Sequence, residues 1–63
     1  MNKREYVIKV DGTGVDSDAA FILVYDCGTH ISLVASAEKN GDAEVFLNKD
    51  ATAALAEALR KFS

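Results

Sequence analysis

The sequence predicts an α+β fold: a four-stranded, mainly antiparallel β-sheet with one C-terminal α-helix packed on one face, in the order β-β-β-β-α. Three observations lead there. Four short runs rich in β-branched and aromatic residues are separated by clusters of Gly, Asn, Asp and Ser, the pattern of consecutive strands and turns. After Leu47 the hydrophobic period changes once, from alternation to a helical repeat in an alanine-rich run. At 63 residues, 49% hydrophobic and 27% charged, the chain reads as one domain, 1–63. It is too apolar for a disordered chain, and its size allows only a thin core.

The first strand is Tyr6-Val7-Ile8-Lys9-Val10, stopped by the turn-forming cluster Asp11-Gly12-Thr13-Gly14. The connection running from Asp11 to Asp18 lets this strand pair at either edge of the sheet. The second strand, Ala19 to Tyr25, is almost continuously apolar and suits a central position buried on both sides. Asp26-Cys27-Gly28-Thr29 turns the chain into a third strand, His30 to Ala37. Lys39-Asn40-Gly41-Asp42 turns it again, and Asn-Gly between two such runs is a strong hairpin signal. Ala43-Glu44-Val45-Phe46-Leu47 returns as the fourth strand. Asn48 is a candidate N-cap for a helix running to Phe62, with Asp50 early and Arg60 and Lys61 late to suit its dipole. Ala51, Leu55, Ala58 and Phe62 form its apolar stripe, while Lys49, Ala53, Ala56, Glu57 and Arg60 point away.

Register decides which side chains share a face. A three-residue loop Lys39-Asn40-Gly41 sets Leu33 opposite Leu47 and Ala35 opposite Val45. An even-numbered loop at Asp26 to Thr29 sets Ile22 opposite Leu33 and Val24 opposite Ile31. Both hairpins then collect the same aliphatic face beneath the helix, from Ala20, Ile22 and Val24 to Val45 and Leu47. A two-residue Asn40-Gly41 loop instead reverses the fourth strand and brings Phe46 under the helix, because one step of slippage exchanges the faces.

In the first register the opposite face presents Phe21, Leu23, Tyr25, Val34 and Phe46, with His30, Ser32, Ser36 and Glu44 around them. A contiguous apolar patch with aromatics at its centre and polar groups at its rim is the composition of an interface. Phe21, Leu23, Tyr25, His30, Val34, Glu44 and Phe46 are therefore the candidate partner-binding residues. A symmetric homodimer packed sheet on sheet is the first expectation, and an adaptor or inhibitor engaging another protein the second. If the sheet curls, or the N-terminal segment crosses this face, the same aromatics are core. The low surface at Ala53 and Ala56 offers a second mode of interaction.

Charge and motif content narrow the function classes. A net charge of −3, with seven basic residues placed mostly toward the ends, disfavours a nucleic-acid partner. The start Met1-Asn2-Lys3-Arg4-Glu5 lacks the pattern of an export signal, and no apolar run has the length to span a bilayer. With a single cysteine, Cys27, no internal disulfide forms. A reducing cytoplasm is the expected location, and neither membrane nor cofactor is expected. Cys27 and His30 supply half a tetrahedral metal site, which a dimer axis would complete, and they also suit a thiol nucleophile. No third group or oxyanion device accompanies them, so no enzyme activity is expected. The carboxylates of Asp11, Asp16 and Asp18 gather in one loop but lack the spacing of a calcium-binding hand.

Overall fold

The computed structural model describes residues 3–63; the Met1-Asn2 start of the expected leaderless N-terminus lies outside them. Four strands and a helix follow in the expected order: β1 Glu5–Thr13, β2 Ala19–Asp26, β3 Ile31–Ala37, β4 Gly41–Leu47 and α1 Lys49–Arg60. The sheet is an antiparallel meander in the spatial order β1-β2-β3-β4, so β1 pairs with β2 and forms one edge. The helix is not long and apolar enough to cross a membrane.

β1 runs three residues past Val10, because the turn is tighter than the run of Asp and Gly suggests. The Gly14 N–H donates to the Asp18 carbonyl at 2.8 Å and the Ser17 N–H to the Gly14 carbonyl at 2.9 Å. Ser17 takes a positive φ of 61°. Gly12 and Thr13 are thereby left to pair with Ala20 and Ala19. Near the other end of β1, Val7 forms a bulge: Tyr6 faces Tyr25 while Ile8 faces Val24.

Both inner hairpins slide by two residues from the expected pairing. Leu33 lies opposite Val45 rather than Leu47, and Ile22 opposite Ala35 rather than Leu33. The last loop is Glu38-Lys39-Asn40, with Gly41 at φ 79° opening β4, and the two-residue Asn40-Gly41 turn does not form. Side chains alternate with a period of two, so a two-residue slip leaves each on its expected face. One face is aliphatic, carrying Ile8 and Val10 from β1, Ile22 and Val24 from β2, Ile31, Leu33 and Ala35 from β3, and Val45 and Leu47 from β4.

The helix starts where the sequence places it. The Asn48 side chain accepts the Ala51 N–H at 2.8 Å, and the Thr52 hydroxyl donates to the Asn48 carbonyl. Its first turns stand beside β4, and Lys49, Thr52, Ala53 and Ala56 border a groove with Asp26 and Ile31. Ala53 and Ala56, expected to point away, are exposed and border this groove. The stripe of Leu55 and Phe62 lies about 130° further round the helix at 100° per residue. Exposure rises along it from 38% at Leu55 to 59% at Leu59 and 90% at Phe62. The aliphatic face is consequently uncovered, and no apolar side chain of the described residues is buried. The dimensions of 35 × 32 × 15 Å are those of a single layer. The Cα radius of gyration, 12.7 Å, exceeds the roughly 10.6 Å of a compact domain of this length.

Candidate functional site: the aromatic sheet face

The face opposite the aliphatic one is organised in three rows across the strands. Tyr6, Tyr25, Ser32 and Phe46 make the first, Lys9, Leu23, Val34 and Glu44 the second, and Asp11, Phe21, Ser36 and Asp42 the third. The candidates on the strands, Phe21, Leu23, Tyr25, Val34, Glu44 and Phe46, all lie here. His30 joins them from the β2–β3 turn, its ring meeting Phe46 edge-on at 5.2 Å between centroids. Leu23 and Val34 are neighbours at the centre and half-buried, whereas Phe46 on the edge strand is exposed.

Four residues of the N-terminal part complete the face, and the reading of the sequence did not include them. The Arg4 guanidinium sits 4.0 Å from the centre of the Tyr25 ring and pairs with Glu44 at 3.0 Å. Lys9 Nζ lies 4.7 Å from the Phe21 ring centre and 3.8 Å from Asp11. Tyr6 meets Tyr25 edge-on at 6.2 Å. Alternation would have found two of them, since Lys9 and Asp11 share a face in a strand ending at Thr13, whereas Tyr6 joins through the bulge and Arg4 through its reach to Glu44.

Glu44 anchors the polar part of the face. Its carboxylate accepts hydrogen bonds from the Ser32 hydroxyl and from Arg4. These donors, Ser32 first and then Arg4, hold its pKa below the ordinary carboxylate range, and the same contact raises that of Arg4. Ser32 is the one fully buried side chain of the described residues. Ser36 donates similarly to Asp42. Each β4 carboxylate on this face is thus tied to a β3 serine.

Cys27 and His30 line a depression at one end of the sheet with Lys3, Arg4 and Phe46. Cys27 is a free, half-buried thiol, and His30 Nδ1 lies 3.1 Å from the Thr29 hydroxyl. Among the described residues no group of three or more His, Cys, Asp or Glu side chains is placed to hold one metal ion. The carboxylates of the β1–β2 loop are engaged with the β3–β4 loop. Asp18 accepts the Lys39 N–H at 2.7 Å and Asp16 accepts the Asn40 amide at 3.0 Å.

The face can bury rings and methyl groups and offer charge-assisted hydrogen bonds around them, which is the equipment for holding another surface. Compared with known proteins, the chain matches no family model, no curated protein and no solved structure.

Proposed function

We propose that this protein is a non-enzymatic protein-interaction module that self-associates as a homodimer and presents its aromatic face to a protein partner. The observation that carries this reading is the lack of any buried apolar side chain in the described chain. A 63-residue domain with no internal disulfide and no buried apolar side chain among its described residues gains from burial supplied elsewhere, and a second chain is one such source. The two faces suit different tasks. Bare aliphatic surface resembles the interior of an obligate interface, whereas rings interleaved with Arg4, Lys9 and Glu44 resemble the mixed surface of a separable one. Phe21, Leu23, Tyr25, Val34 and Phe46 are the proposed contact centre, with His30 and Glu44 setting the partner's orientation at the rim. A reducing compartment such as the cytoplasm, where Cys27 stays a thiol, belongs to the same reading.

Light scattering on a size-exclusion column, across a wide loading range and with or without a chelator, tests self-association. The expected mass is twice the 6.8 kDa of one chain and indifferent to chelator. A single-chain mass at every concentration overturns the homodimer. A dimer lost on adding chelator transfers the weight to a metal shared by Cys27 and His30 of two chains.

A further inference from the structure

We propose that the aliphatic face is covered by the C-terminal helix of a second copy of this chain, in a two-fold exchange. This rests on the self-association proposed above and names the surfaces that carry it. Two apolar surfaces in the chain lack partners. One is the aliphatic face, where Ile8, Val10, Ile22 and Val45 are all exposed. The other is the helix stripe of Leu55, Leu59 and Phe62, whose exposure increases toward the C-terminus.

The two surfaces fit in kind and size. Toward the β1–β2 loop the aliphatic face is floored by small residues, Gly12, Ala20, Ala35, Ala37 and Ala43, and forms an open depression of about 460 Å³. Small residues in one surface accept large side chains from another, and Leu59 and Phe62 are the large side chains standing free. Four strands about 4.8 Å apart and seven residues long at about 3.4 Å each make a face of roughly 450 Å². A 12-residue helix, about 18 Å long and 10–12 Å across, covers part of that face, and two helices on two sheets bury on the order of 1,000 Å² in total, the lower end for a specific interface.

A second copy is the occupant for two reasons. Only Asn48 separates β4 from the helix, so the helix stays beside β4 of its own sheet, with Leu59 and Phe62 exposed beyond that contact. Two-fold exchange also closes: each copy donates one helix and receives one, so neither a helix stripe nor an aliphatic face is left over to recruit a third chain. The aromatic faces remain outward, two per dimer.

Subunit complementation tests this with three variants of the full chain, followed by light scattering and circular dichroism. The double variant Leu59→Glu/Phe62→Glu leaves every residue of the receiving face unaltered and is expected to weaken the dimer by about 100-fold or more, as loss of two central apolar anchors does. Ile22→Glu damages the receiving face and is expected to be monomeric and to melt at a lower temperature. Mixed in equal amounts, the two form a heterodimer in which one helix and one sheet are both undamaged, so dimer mass returns. Phe46→Glu on the aromatic face leaves the dimer unchanged. In a Cys27→Ser background, a Val45→Cys chain mixed with a Leu59→Cys chain is also expected to trap a mixed disulfide on oxidation, a readout that needs no charge in the sheet. Failure to complement together with no mixed disulfide overturns the exchange. So does a wild-type dimer that survives Leu59→Glu/Phe62→Glu but falls apart with Phe46→Glu, which leaves self-association standing and moves it to the aromatic face. A monomeric wild type overturns both proposals.

Discussion

Glu44 is held by two donors of different character, a serine buried in the sheet and a half-exposed arginine. Its pKa is lowered in the folded chain, so its ionised form is favoured more by the folded than by the unfolded state. The resulting stability is fully present above the ordinary glutamate pKa of about 4.3 and disappears as the pH falls through the lowered value. Thermal melts between pH 7 and pH 2.5 should therefore fall on the acid side, and Glu44→Gln should flatten that part of the profile while lowering the melting temperature at pH 7. Serine was legible as a polar neighbour of the aromatics, since Ser32 and Ser36 alternate with Val34. Arg4 was not, because its reach to Glu44 crosses 40 positions and leaves no local pattern.

Among the elements, the two loops at one end of the sheet are tied to each other. Lys39 and Asn40 of the β3–β4 loop hydrogen-bond to Asp18 and Asp16 of the β1–β2 loop, and the Glu38 N–H donates to the Ala19 carbonyl. Asp18 is the one charged residue buried within the described chain, and its carboxylate presses on Gly14 so closely that a Cβ there would stand 2.0 Å from Oδ1. Gly14→Ala should therefore cost about 1–3 kcal/mol, the usual range for overpacking, measured by urea denaturation. A stability within error of wild type would show that the loop yields freely. The same ties explain why the faces were legible and the register was not. Alternation assigns each residue to a face, and a two-residue slip preserves it. Which pairs oppose is decided by contacts between loops 20 or more positions apart, such as Lys39 with Asp18. The helix shows the same division: Asn48, Asp50 and the apolar stripe were readable locally, whereas the direction of the stripe depends on how the helix leaves β4.

At the scale of the whole molecule, one layer 15 Å thick stands where two packed layers would bury a core. A chain whose apolar burial comes from a second copy gains stability by mass action, so its melting temperature must depend on concentration. Raising the chain concentration 100-fold should raise it by several degrees in differential scanning calorimetry. A midpoint independent of concentration would place the stability within the single chain. The element order and the presence of too much apolar surface for one helix to cover were both legible from composition and period. The uncovered face was not, since an amphipathic stripe states that a helix seeks an apolar partner without stating whose.

The bulge at Val7 has a bearing on where assembly stops. β1 is an outer strand of nine residues, long enough to template the addition of foreign strands along its free amides and carbonyls. The extra residue at Val7 breaks the even spacing of those groups, and the charge of Lys9 follows two positions later. Interrupted backbone spacing and a lysine are features by which natural sheets resist fibre growth at their rims. A protein this rich in bare apolar surface can in this way associate face to face without polymerising edge to edge.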